Sequence, residues 1–154
     1  MKKQKEEIEA EYKTEIETFK KIAKMVYDLG SNFLTYNAWE LADKQFKLAW
    51  YKFYLSDFVS DLNRISESFK LKMKEFKANE WQPTYDEIKK KHWKVSNREQ
   101  VENLLLSRMM DLLETHSEYE SMYYKYKMKL SAVDDILTAL AQRIKSLQNE
   151  NKYI

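Results

Sequence analysis

The stretch Leu105–Leu147, LLSRMMDLLETHSEYESMYYKYKMKLSAVDDILTALAQRIKSL, decides the fold. Its apolar positions Leu105, Met109, Leu112, His116, Tyr119, Tyr123, Tyr126, Leu130, Val133, Leu137, Leu140, Ile144 and Leu147 are spaced alternately four and three. That rhythm keeps one stripe of a helix facing a partner helix over six heptads, the pattern of a supercoiled pair. The partner lies upstream: Leu34, Leu41, Leu48, Leu55, Leu62, Phe69 and Phe76 recur every seven residues. At ~1.5 Å per residue a helix over 32–78 is a rod of roughly 70 Å. Its companion seam, Ala38, Gln45, Tyr51, Phe58, Ile65 and Met73, slips by one residue at two places, which locally changes the supercoil.

Punctuation sets the remaining boundaries. A first helix, with Ile8, Tyr12, Phe19, Ile22, Val26 and Leu29 at helical spacing, is predicted to stop at Gly30, the only glycine. Ser31 and Asn32 then stand where caps are needed. The only proline, Pro83, marks a turn between Asn79 and Tyr85. Thr84 with Glu87 and Ser96 with Glu99 read as capping boxes. The expected fold is all-α: a long antiparallel helical hairpin with an additional N-terminal helix. It forms a single helical domain over 1–154, with helices at about 2–29, 32–78, 85–94 and 97–149. Trp39, Phe46 and Phe53 form a second stripe on one rod, and Leu106, Met110 and Leu113 on the other. The N-terminal helix can cover part of these stripes, and copies of the chain are the natural cover for the rest, so a homo-oligomer is expected.

Composition removes much chemistry. Among 154 residues there is no cysteine and one glycine, so thiol nucleophiles, zinc ribbons and glycine-rich phosphate loops are excluded. Only His92 and His116 are histidines, and neither has Glu three residues ahead, so the Glu-x-x-His ligand pairs of di-iron bundles are missing. His116, on the apolar seam, reads as a packed core residue. Asp134 and Asp135 point to different sides of a helix and read as solvated surface. No enzyme, cofactor or metal is expected. The longest uncharged run, Leu29 to Trp39, has 11 residues, short of the roughly 20 that span a bilayer. No signal peptide is read at the start, and a cytoplasmic setting is expected.

Charge is zoned. The total is only +2, so contact with a polyanion must come from local concentration. Between Lys70 and Lys94 eight lysines (70, 72, 74, 77, 89, 90, 91 and 94) face four carboxylates, a net of +4 at the expected hairpin tip. Between Arg98 and Met122 two arginines face six carboxylates, a net of −4. Phe69 and Phe76 belong to the core stripe, whereas Trp81, Tyr85 and Trp93 lie off it beside the tip lysines. Cations for phosphates with rings for bases is how single strands are held. Several copies would multiply the contacts and steepen the salt dependence.

The layout resembles a family. A leading helix, a long helix opening near Leu29-Gly30-Ser31-Asn32-Phe33-Leu34 with Tyr36 and Trp39, a basic end at Leu71-Lys72-Met73-Lys74, a turn and a final long helix are similar to the UvsY-type recombination mediators of tailed phages. The resemblance spans roughly Ile22 to Lys145. It implies a helical protein that assembles into a ring and binds single-stranded DNA. Such a protein helps a RecA-like recombinase replace the single-strand-binding protein on that DNA. The family's basic-x-basic DNA element maps onto Lys72 and Lys74, with lysine here where the second position is ordinarily arginine. Supporting contacts are expected at Lys70, Lys77, Lys89, Lys90, Lys91 and Trp93. Two other classes fit the same residues. One is a structural coiled-coil protein, such as a virion component, scaffold or assembly chaperone, whose lysines only solvate it. The other is a small nuclease inhibitor working through the acidic zone.

Overall fold

The computed structural model describes residues 5–92, with His92 by its backbone alone, and 98–152. Five helices follow one another among these residues: α1 (Lys5–Glu11), α2 (Lys13–Asn32), α3 (Ala38–His92), α4 (Arg98–Arg108) and α5 (Met110–Glu150). The chain is all-α, with the 55-residue α3 packed against a second long helix as a helical hairpin. No helix among the described residues is long and apolar enough to cross a membrane. Two compact units are distinguished, Ile8–Asp61 with Tyr124–Ile154 and Met1–Glu7 with Leu62–Tyr123.

In the first unit the seven-residue stripe forms the core, with Leu41, Leu48 and Leu55 fully buried. Full burial of such a side chain is worth roughly 1.5–3 kcal/mol each. Phe19, Ile22 and Leu29 of α2 and Tyr126, Leu130, Val133 and Leu140 of α5 complete it. Rings concentrate at one level: Phe19 lies 4.5 Å from Tyr126, and Phe58 lies 5.0 Å from Tyr12 and 5.3 Å from Tyr126. Gln45, the one polar seam residue here, donates from Nε2 to the Leu137 carbonyl at 3.3 Å. Leu34 departs from its stripe. It precedes α3 and is exposed.

Gly30 does not end the first helix. α2 continues to Asn32, and the following residue, Phe33, is still right-handed helical, so no left-handed glycine cap is required. Ser31 and Asn32 are therefore not caps. Asn37 and Glu40 cap α3 reciprocally: the Glu40 N–H donates to Asn37 Oδ1, and the Asn37 N–H to Glu40 Oε2, each at 2.9 Å. Asp28 ties the connection shut. Its carboxylate accepts from the Tyr36 hydroxyl at 2.6 Å, from Lys44 at 2.9 Å and from Asn32 at 3.1 Å. Those donors, Tyr36 foremost and then Lys44, hold Asp28 down at a pKa of about 2.

Pro83 does not end the long helix either. α3 runs through it to His92, so the expected turn at Asn79–Tyr85 and the separate helix at 85–94 are corrected to one continuous element. Packing overrides the local signal. Ile88, Val101 and Leu105 form a buried cluster with Phe76, Trp81, Tyr85 and Leu104 against it, and these residues of α3 meet α4 only if the helix continues past the proline. Thr84 and Glu87 open no helix. Thr84 is fully buried, and Arg108 of α4 donates to its hydroxyl at 3.2 Å while pairing with Glu87. The second expected box, at Ser96, lies outside the described residues. Met109 separates α4 from α5 without breaking the bonding: its N–H donates to the Leu105 carbonyl, and its carbonyl accepts from Leu113 at 3.0 Å.

Candidate nucleic-acid interface

The expected interface lies on α3 between Lys70 and Lys91. Because α3 continues to His92, these lysines decorate one helix instead of surrounding a bend. Lys72 and Lys90 are 18 residues apart, roughly 27 Å along the axis. Helical geometry also separates neighbours. Lys70, Lys74 and Lys77 follow one another by four and three and share a side, whereas Lys72, two residues from Lys74, projects to the other side. The basic-x-basic element thus addresses two directions at once.

All seven of the lysines at 70, 72, 74, 77, 89, 90 and 91 are exposed. Two have carboxylate partners: Lys70 lies 3.5 Å from Glu67, and Lys91 lies 3.0 Å from Glu87. Arg108 first and Lys91 second hold Glu87 down at a pKa of about 2. Lys72 sits 4.8 Å from the Phe69 ring centre, and Phe69 stacks on Tyr119 at 5.8 Å. Among the described residues Lys72, Lys74, Lys77, Lys89 and Lys90 have no carboxylate within ion-pair distance. Ammonium groups on flexible stems, neutralised by nothing nearby, are suited to phosphate oxygens as point charges.

The rings behave differently from the cations. Trp81 and Tyr85 are half-buried against the Ile88 cluster, so packing, and not base stacking, occupies them. Arg98 covers Trp81, with its guanidinium 5.5 Å from the ring centre, and pairs with Glu102 at 2.8 Å. Lys77 borders the open hollow of about 310 Å³ beside this Trp81–Arg98 stack. Trp93 lies outside the described residues. Arg98 and Arg108 were not among the expected site residues. Trp81, Tyr85 and Ile88 are spaced four and three, and that rhythm was the available signal that the helix continued.

The catalytic inventory is short. His116 is half-buried on its seam, and its Nε2 has no hydrogen-bond partner among the described residues. No group of three His, Asp or Glu side chains that could hold a metal ion occurs among the described residues. No protein-family model matches the sequence, and no curated protein or solved structure matches it.

Proposed function

We propose that this protein is a non-enzymatic, self-assembling binder of single-stranded DNA that acts as a recombination mediator. In that role it would help load a RecA-like recombinase by displacing single-strand-binding protein. The observation that carries the reading is the run of exposed lysines on α3, five of them without a carboxylate partner among the described residues. The mediator role itself comes from the family resemblance. One chain offers few contacts, so competence at physiological salt needs several chains acting together.

The test is fluorescence anisotropy of a labelled oligonucleotide at two salt concentrations. Binding that weakens steeply with salt, at a slope of roughly −0.7 per phosphate contacted, supports the reading. An oligonucleotide left free at low salt contradicts it. A second reading, a structural coiled-coil protein, is favoured by the bare aromatic face of α3 at Trp39, Phe46 and Phe53. It predicts assembly with no response to the oligonucleotide.

A further inference from the structure

Two features of the unit Ile8–Asp61 with Tyr124–Ile154 share a seven-residue period. The first is a ridge on α3: Trp39, Phe46, Trp50 and Phe53 are 84%, 71%, 53% and 80% exposed. Trp50 falls four residues after Phe46 and three before Phe53, so all four rings lie along one side of the helix. The second is a groove between α2 and α5. A hollow of about 390 Å³ is walled by Val26, Leu29, Ile136 and Leu140. It continues into one of about 170 Å³ beside Phe19 and Val133, with Val26 and Ile136 lining both.

The groove is open because its small residues repeat. Ala23 and Gly30 on α2, and Ala132 and Ala139 on α5, each stand seven residues apart. A Cβ at Gly30 would meet no heavy atom packed against the helix within 4 Å. Holes every seven residues suit knobs every seven residues, and Phe46 and Phe53 are such knobs. Charge gives the direction. Beyond Phe53 the ridge carries the exposed Asp57, which has no cation within ion-pair distance among the described residues. At the Phe19 end of the groove stand Lys125 and Lys129, both near the Tyr126 ring at 5.3 and 5.5 Å. Neither has a carboxylate partner among the described residues.

We infer that copies of the chain join by seating the α3 ridge of one copy in the α2/α5 groove of the next, with Asp57 placed against Lys125 and Lys129. This deepens the self-assembling part of the function proposed above and rests on it. The four rings present roughly 400–700 Å². With a similar area from the groove, the contact reaches about 1,000 Å², the threshold that a biological interface clears. Because ridge and groove are different surfaces, the contact is heterologous, and an open chain of copies keeps one ridge and one groove free at its ends for further neighbours until a ring closes.

Sedimentation velocity of the full chain at a fixed micromolar concentration tests this, with circular dichroism to follow helicity. The unaltered protein is expected well above the 18.7 kDa of one chain. A ridge variant, Phe46→Glu with Phe53→Glu, and a groove variant, Gly30→Phe with Ala139→Phe, should each sediment as single chains. Mixed in equal amounts they should form a two-chain species and nothing larger, because one sound ridge then meets one sound groove. Either variant keeping the unaltered mass, or a mixture that stays single-chained, overturns the inference. Should the groove variant lose helicity, Asp57→Lys replaces it: mass should fall, and adding Lys129→Glu should restore it, whereas no change overturns the pairing. An unaltered protein that is itself a single chain overturns both this contact and self-assembly. Assembly through these surfaces without oligonucleotide binding removes only the DNA reading.

Discussion

The unit Ile8–Asp61 with Tyr124–Ile154 and the unit containing Leu62–Tyr123 build their cores alike but dress the outside of α3 differently. In the first, leucines every seven residues face inward while Trp39, Phe46, Trp50 and Phe53 face out. In the second the stripe ends in Phe69 and Phe76, Trp81 and Tyr85 turn in against α4, and the exterior is rich in lysine. One helix therefore carries an apolar outer surface along part of its length and a cationic one along another. The buried stripe specifies the fold, and the outer stripes leave two chemically different surfaces on one helix.

Core substitution should have the largest effect. Leu48→Ala, at a fully buried position, should lose about 2–5 kcal/mol in urea unfolding, whereas Leu34→Ala, on the same arithmetic stripe but exposed, should change stability by less than about 0.5 kcal/mol. Equal losses would refute the assignment of Leu34 to the exterior. Pro83→Ala comes next, in the other unit. It restores a donor to the Asn79 carbonyl inside α3 and should stabilise by about 2–3 kcal/mol after allowance for the freer unfolded chain. Thermal denaturation reads it, and a destabilised variant would mean that α3 does not run through this position.

Lysine variants should leave stability nearly unchanged. Lys72→Ala with Lys74→Ala should weaken oligonucleotide binding and flatten its salt slope by about 1.4 if each meets one phosphate. Because the two project to opposite sides of α3, each single variant should give about half the change. An unaltered slope removes both from the interface.

Acid sensitivity is the smallest effect and is present in each unit. Asp28 has an ordinary value of 3.8 and is held at about 2 when folded. Its contribution is therefore complete above about pH 4 and is lost as pH falls towards 2. Glu87 follows the same sign, from 4.5 to about 2. Asp28→Asn should flatten the acid-induced loss of stability over that window, as should Glu87→Gln. A variant whose stability still falls as steeply as that of the unaltered protein would show that the tie contributes nothing.

Much of this was legible in the residues. The heptad leucines from Leu41 to Leu62 and the four-three rhythm of the last helix needed no tertiary information, because burial of one stripe is what that spacing encodes. Gly30 and Pro83 misled because both are local signals, and local preferences of one to three kcal/mol yield to the packing of a whole helix face. The Asn37–Glu40 cap was present as a motif but was masked by Ser31 and Asn32 directly after the glycine. At the candidate interface the lysines' exposure could be read from composition. Their distribution over two sides of α3 could not be read until the extent of that helix was known, since a basic-x-basic element presents differently on a helix and at a bend.

The most direct test of the account is the sedimenting mass of the full chain at low salt, with and without a labelled single-stranded oligonucleotide. The account predicts a species several times 18.7 kDa that carries the label and releases it as salt is raised. A species of 18.7 kDa that leaves the label behind at low salt would contradict it.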